Sequence, residues 1–150
     1  MTAPVFDKIL VAVDDSPAAL AAGHAAVHLA ARTGARLRFV HVTGDGELVR
    51  ALRRMGRDSE LSTRRSKAAA ALMAHVGAEA ERADVIAETT VLEGDPAALV
   101  LAEATNWDAD LIVMGRPDLR GPGHHPFVGT VTRKVLELAE IPVMVVPRPA

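Results

Sequence analysis

Short continuous apolar runs constrain the fold of this chain more than any other feature of its sequence. The first, Ile9–Val13, lacks apolar–polar alternation, which is typical of a strand covered on both faces in a parallel sheet. Apolar or β-branched runs predict further strands at Leu37–Val42, Val85–Leu92, Asp110–Met114 and Ile141–Val146. Helical patterns separate the strands at Ala18–Arg32, Ala68–Arg82, Ala97–Asn106 and Val131–Leu138. The alternation predicts an α/β fold, a single doubly wound, Rossmann-like domain over residues 1–150 with a five-stranded parallel sheet.

Local signals predict several ends of these elements. Ser16 is expected to cap the first helix, Pro17 to open it and Gly34 to end it. The segment before the second helix is less regular, and Gly56–Ser62 predicts an interruption of its helical pattern. Residues upstream that recur at helical spacing are Leu48, Leu52 and Met55.

Composition limits the kind of protein that this chain can be. An apolar fraction of 49% in 150 residues is enough for one core, and the absence of cysteine excludes disulfides and thiolate zinc sites. The formal net charge of −2 gives no general attraction to nucleic acid or membranes. The start of the chain, Met1–Lys8, lacks the apolar run of a signal peptide. No segment approaches the length of about 18 consecutive apolar residues that a membrane-spanning helix requires. We therefore expect a cytoplasmic protein without a membrane partner.

The carboxyl ends of the first and fourth predicted strands are where we expect a ligand. Ligands of open parallel sheets bind where the strand order reverses, and these two strands should flank that point. Asp14 follows the first strand, Gly115 follows the fourth, and Gly129–Thr130 opens the last helix. Backbone N–H groups at a helix start favour an anion, whereas Asp14 suits a ribose hydroxyl or a divalent ion. The alternative is structural, because caps and turns use the same residue types.

The last predicted strand has the features of a sheet edge. Proline prefers the first residue of a strand or an edge position, and Pro142 stands at the start of this one. The apolar edge Val143–Val146 requires a covering partner, which predicts a homodimer joined there.

No sequence motif predicts rapid catalysis. The chain has no G-x-G-x-x-G after its first strand, no G-x-x-x-x-G-K-[ST] and no G-x-S-x-G. We predict no catalytic residue and no enzyme activity, although slow ATP hydrolysis with a bound metal stays open.

Histidines and basic residues outside this region are interpreted as structural or solvated. His24 and His28 share a helix face but have no acidic residue nearby in the sequence, so we predict an exposed pair and no metal site. His41 and Trp107 are expected to pack rather than react. Arg50–Lys67 carries seven basic residues, but no aromatic residues interleave with them, so nucleic acid is not an expected partner.

Several phrases of the sequence resemble the universal stress protein family over nearly the whole chain. They are Lys8–Asp14, His41–Val42, Glu93–Pro96, Ala109–Gly115, Gly129–Val131 and Ile141–Pro147. The resemblance implies a five-stranded parallel sheet, homodimers paired through the last strand and, in one branch of the family, ATP binding.

The resemblance also implies a set of ligand-binding residues. Ala12, Val13 and Val42 would line the adenine and ribose pocket, with Asp14 facing the ribose or a metal such as Mg²⁺. The phosphate side would be lined by Met114, Gly115, Gly129, Thr130, Val131 and Thr132.

The segment from Gly115 to Thr130, which we call the glycine loop, departs in its middle from the pattern of the ATP-binding members. The ATP-binding members have glycine, two residues, glycine, nine residues, then glycine with Ser or Thr. Here Asp118 stands where that pattern has its second glycine, the loop is one residue longer, and Asp15 replaces the glycine that is usual after the first-strand aspartate. Three interpretations stay open: a stress-response regulator that binds ATP, a dimeric interaction module without nucleotide, and a hydrolytic or transferase relative.

Overall fold

The computed structural model describes residues 6–14, 16–43, 56, 58–116 and 129–149, without the side chains of residues 58–63 and 65. Its elements in chain order are β1 (Lys8–Ala12), α1 (Pro17–Thr33), β2 (Arg36–Thr43), α2 (Asp58–Arg82), β3 (Ala87–Glu93), α3 (Pro96–Trp107), β4 (Leu111–Arg116), α4 (Thr130–Leu138) and β5 (Val143–Pro147). The predictions made for Asp15, Leu48, Leu52, Met55, Asp118 and the middle of the glycine loop lie outside the described residues.

The strands form one parallel sheet in the order β3-β2-β1-β4-β5. The predicted fold class is confirmed. The order reverses between β1 and β4, as predicted, because the chain passes outward from β1 to β3 and then returns to the other side of β1. Within the described ranges β5 is an edge strand, which is also as predicted.

Helices cover both faces of the sheet, and β1 shows why its apolar run is continuous. Ile9 and Val11 pack with residues of α1 and α2, whereas Leu10 packs on the other face with residues of α3 and α4. All three side chains are fully buried. Because neighbouring side chains point to opposite faces, both faces must be apolar when both are covered.

Asp110 ties the starts of β1 and β4 together. Its Oδ2 accepts hydrogen bonds from the backbone N–H groups of Asp7 and Lys8, each at 2.8 Å. The side chain therefore anchors the end of the sheet that lies opposite the carboxyl ends of the strands. Because Asp110 precedes β4, the strand begins at Leu111, one residue later than predicted.

The third strand begins later than predicted because α2 ends in a Schellman motif. Asp84 has a left-handed φ of 56° and donates to Glu81, and the N–H of Val85 donates to the carbonyl of Ala80 at 2.9 Å. Val85 thus caps the helix, and β3 starts at Ala87.

The predicted interruption at Gly56–Ser62 is wrong for residues 58–62, which are helical. Helix α2 begins at Asp58 and continues without a break to Arg82. Gly56, which has a φ of +69°, lies before the helix, and no proline or further glycine follows until Gly77. The turn signal was therefore real but marked the helix start.

Candidate functional site

A cavity of about 280 Å³ lies at the carboxyl ends of β1 and β4, where the strand order reverses. Among the described residues it is lined by Ala12, Val13, Asp14, Ser16, Ala18, Ala19, Val40, Val42, Pro96, Val100, Met114, Gly115, Gly129, Thr130, Val131 and Thr132. All ten predicted site residues are in this set. The structure thus brings them together from four separate stretches of the chain, and their role in binding stays a prediction.

Six lining residues were not predicted from the sequence. Val40 could have been, because it lies two residues before Val42 and strand residues two apart share a face. Ser16, Ala18 and Ala19 belong to the start of α1, which the sequence had placed at this edge only as a cap. Pro96 and Val100 lie one helical turn apart on α3, and no local signal indicates that α3 reaches this cavity.

Asp14 and Ser16 organise the entry of the chain into α1. Asp14 Oδ1 accepts the backbone N–H of Ser16 at 2.7 Å, and Ser16 Oγ accepts the N–H of Ala19 at 3.1 Å. The predicted cap at Ser16 is confirmed, as are Pro17 at the first turn and Gly34 at the end of the helix. Although Asp14 accepts this hydrogen bond, its carboxylate is exposed at the rim of the cavity.

Helix α4 begins at the cavity without a side-chain cap. Its N-cap residue is Gly129, with a φ of +95°, and glycine has no side chain to accept an N–H. By contrast, Ser16 caps α1 and Asp95 caps α3. The first N–H groups of a helix lack partners inside the helix, and together with the helix dipole they give this end partial positive charge. The start of α4 is therefore suited to an anion.

Gly115 allows α1 to approach the end of β4. A Cβ atom at this position would lie 2.5 Å from the carbonyl carbon and oxygen of Ala18 and 2.7 Å from the nitrogen of Ala19. These are backbone atoms, so any side chain would push β4 and α1 apart. The glycine is thus required by the packing that forms one wall of the cavity.

Thr132 connects α4 to the same point of β4. Its hydroxyl donates to the carbonyl of Gly115 at 3.3 Å, and its side chain is buried. Gly115 therefore contacts α1 through its Cα side and α4 through its carbonyl, which fixes the start of α4 relative to the strand ends.

His41 and Trp107 have the packing roles predicted for them. His41 Nδ1 donates to the carbonyl of Val13 at 2.9 Å, and His41 is not among the cavity-lining residues. Trp107, the last residue of α3, is buried, and the guanidinium carbon of Arg38 lies over its ring, 4.8 Å from the ring centroid. Neither side chain takes part in the candidate site.

The charged and histidine side chains elsewhere are mostly exposed. Arg64 and Lys67, the members of the basic segment whose side chains are described, are exposed on α2. His24 and His28 are exposed on α1, as predicted. No acidic residue is near them in the sequence, but in the fold Glu79 of α2 contacts His24 at 2.5 Å. That contact joins residues 55 positions apart, which the sequence could not show.

The sequence profile of the universal stress protein family matches residues 6–147. The chain belongs to the universal stress protein family. A family member from Bacillus subtilis, the universal stress protein YxiE, is 31% identical, and the alignment covers 95% of this chain and 99% of that relative. Proteins of this family are in general not conventional enzymes.

Solved structures share the fold over nearly the whole chain. The hypothetical protein MJ0577 matches with a TM-score of 0.80 at 22% identity, covering 97% of this chain and 99% of that one. A universal stress protein solved in complex with cAMP has a TM-score of 0.69 at 20% identity, covering 96% and 98% of the two chains. The universal stress protein from Archaeoglobus fulgidus in complex with dAMP also has a TM-score of 0.69, at 22% identity, covering 95% and 98%.

Among the helices of the described residues, none combines the length and the apolar character that a membrane-spanning helix requires.

Proposed function

We propose that the cavity at the ends of β1 and β4 binds an adenine nucleotide, and that this protein regulates a stress response through its nucleotide-bound state. The observation that carries the proposal is the uncapped start of α4 beside Gly115, at the mouth of a largely apolar cavity. The complexes of two family proteins with cAMP and dAMP support an adenine nucleotide as the ligand class.

The cavity offers different surfaces to the parts of a nucleotide. Val40, Val42 and Val100 provide aliphatic contact for a purine ring. The exposed carboxylate of Asp14 can accept hydrogen bonds from ribose hydroxyls. The N–H groups at the start of α4 suit the phosphates. The volume of about 280 Å³ is at the lower end of the range for small-molecule pockets, which begins at about 300 Å³, and this suits the nucleoside part.

ATP with Mg²⁺ is the form of ligand that the family resemblance favours. A triphosphate near the Asp14 carboxylate would be repelled in the absence of a cation. Mg²⁺ binds one or two carboxylates together with substrate phosphates, so Asp14 is the residue that would hold it. We therefore expect Mg²⁺ to raise the affinity for ATP more than it raises the affinity for AMP.

Binding rather than turnover is the proposed activity. Asp14 is the only ionisable residue among the described residues that line the cavity. Its Oδ1 already accepts the Ser16 N–H, and the lining residues that the structure describes supply no second ionisable group to take or give a proton. A hydrolytic relative is the competing function, and a turnover abolished by Asp14→Ala would establish it.

Equilibrium dialysis with ATP, AMP and adenosine, each with and without Mg²⁺, tests the proposal. In the variant Thr130→Glu a carboxylate stands at the exposed first residue of α4, where negative charge favours the helix but repels phosphate. We expect AMP and ATP to bind at least tenfold more weakly to this variant, while adenosine binds unchanged.

Thr89→Glu is the matched control, because Thr89 is exposed on β3 and does not line the cavity. Wild-type protein that binds none of the three ligands at millimolar concentration would reject the nucleotide function. That result would leave the dimeric interaction module as the function of this fold.

We also propose a homodimer joined through the last strand, Val143–Val146. The support is that β5 is an edge strand and that Met144 on it is 38% exposed. Sedimentation at micromolar concentration should show a dimer that Met144→Lys weakens. The control Ile86→Lys, beside the opposite edge and 66% exposed, should leave the dimer intact. A wild-type monomer would contradict this assembly.

A further inference from the structure

A second cleft, of about 590 Å³, lies between α1 and α2. It is lined by His24, Val27, His28 and Ala31 of α1, by Glu79 and Arg82 of α2, and by Ala83, which follows α2. None of these residues lines the nucleotide cavity. The cleft contains nitrogen and carboxylate groups that the proposed nucleotide function does not use.

The two histidines lie side by side on one face of α1. They lie four residues apart on α1, and their ring centroids are 4.4 Å apart with an interplanar angle of 69°. Histidines at this spacing project from successive turns of one helix face and can bind the same metal ion. Both are exposed, so an ion reaches them from solvent without any opening of the core.

Glu79 selects the ring nitrogen with which His24 can bind. The distance from His24 Nδ1 to Glu79 Oε1 is 2.5 Å, and an ionised carboxylate can only accept, so Nδ1 carries the hydrogen. In the neutral ring the lone pair is then on Nε2. A carboxylate that holds the second nitrogen of a ligating histidine is a common outer partner in metal sites, where it fixes the ring and makes it more basic.

We propose that His24 and His28 form an open binding site for a divalent transition-metal ion of the class that prefers imidazole, such as Zn²⁺, with Glu79 as a positioning residue. Within the described part of the chain no set of three histidine, cysteine or acidic side chains is placed to hold one metal ion, so the two imidazoles would be the protein ligands and water would complete the coordination. Arg82 also lines the cleft, and its positive charge disfavours ions held by charge alone. Mg²⁺ and Ca²⁺, which require several oxygen ligands, should therefore not bind.

A metal ion bound there would join the two helices. His24 and His28 belong to α1, whereas the carboxylate that orients His24 belongs to α2. Coordination would hold the His24 ring, and with it the hydrogen bond to Glu79, in one arrangement. The expected result is a higher melting temperature in Zn²⁺ that a chelator reverses.

Isothermal titration of the full chain with Zn²⁺ near neutral pH tests the site. We expect one binding event that is lost in His24→Ala and in His28→Ala, and that Glu79→Ala weakens about 10–100-fold. Glu79→Gln keeps an acceptor for His24 Nδ1 and should restore part of the affinity. All of these side chains are at or near the surface, and the circular dichroism spectrum of each variant checks its fold.

Two controls separate this site from other histidines. His75→Ala removes an exposed histidine of α2 outside the cleft, and His124→Ala/His125→Ala removes the pair in the glycine loop. Both variants should bind Zn²⁺ within twofold of wild type. Wild-type affinity in the His24→Ala/His28→Ala double variant, or no Zn²⁺ binding at all, would overturn the proposal. Equal affinity for Mg²⁺ would overturn the assignment of ligand class.

Discussion

Replacing Gly115 by alanine should damage both stability and the candidate site. Ordinary contacts of a Cβ atom begin at 3.4 Å, but here the atom would lie 2.5 Å from the backbone of Ala18, so β4 and α1 must separate by about 0.9 Å. The obstructing atoms belong to the backbone of a capped helix start, which cannot rotate away as a side chain can. Overpacking of a well-packed interior typically costs about 1–3 kcal/mol, and the closeness of this contact places the substitution at about 3 kcal/mol.

Thermal unfolding followed by circular dichroism measures the effect. At about 2–4 °C per kcal/mol for a chain of this length, Gly115→Ala should lower the melting temperature by about 6–12 °C. Nucleotide affinity should fall as well, because Ala18 and Ala19 line the cavity and Thr132 bonds to the Gly115 carbonyl.

Gly23→Ala is the matched control within α1. A Cβ atom there would meet Val13, Phe39 and Val76 at 3.7–3.8 Å, which are ordinary contacts. Alanine is the better helix former by up to about 1 kcal/mol, so this variant should be unchanged or more stable. If Gly115→Ala melted within 2 °C of wild type, about the effect of 1 kcal/mol, the steric reasoning would be refuted.

Two further substitutions test the contacts that hold the elements in place. Ser16→Ala removes the cap bond to the Ala19 N–H and should cost about 1 kcal/mol, seen as a lower midpoint in urea denaturation with an unchanged slope. Arg38→Ala breaks ion pairs to Glu103 at 2.7 Å and Glu88 at 3.0 Å and removes the stack on Trp107. Because Arg38 and Glu103 are only 18% and 15% exposed, we expect a loss of about 2–3 kcal/mol. The exposed pair Arg133–Glu137 is the comparison, and Arg133→Ala should cost less than about 0.5 kcal/mol. Equal losses for the two arginines would show that burial does not set the strength of these pairs.

The strands were predictable because the apolar pattern of each strand reflects which of its faces are covered. A run such as Ile9–Val13 is apolar at every position since both faces are covered. The cap at Ser16 and the left-handed end at Gly34 were equally local. The location of the cavity followed from the order of the elements, because the point of reversal in such a sheet depends on topology alone.

Three features could not be predicted from the sequence: the start of β3, the part of α3 in the cavity, and the contact of Glu79 with His24. They depend on contacts between distant residues, or on a residue that suits two kinds of local structure. Val85 is a β-branched residue of the kind that favours strands, but its N–H donates a hydrogen bond to the carbonyl of Ala80 at the end of α2. Pro96 and Val100 reach the cavity only because α3 crosses that face of the sheet. Glu79 lies 55 residues from His24, and only the packing of α2 on α1 brings them together.

The strand order has a consequence for how this protein is made. The central strand β1 pairs with β2, whose residues follow about 28 positions later in the chain. Its second neighbour, β4, begins only at Leu111. A growing chain that emerges from the ribosome therefore exposes one edge of β1 until more than two thirds of the sequence has been synthesised. Asp110, which anchors Asp7 and Lys8, arrives just before that strand. We expect the nucleotide cavity to form only after β4 docks, so nucleotide would stabilise the finished domain and have no effect on its early folding steps.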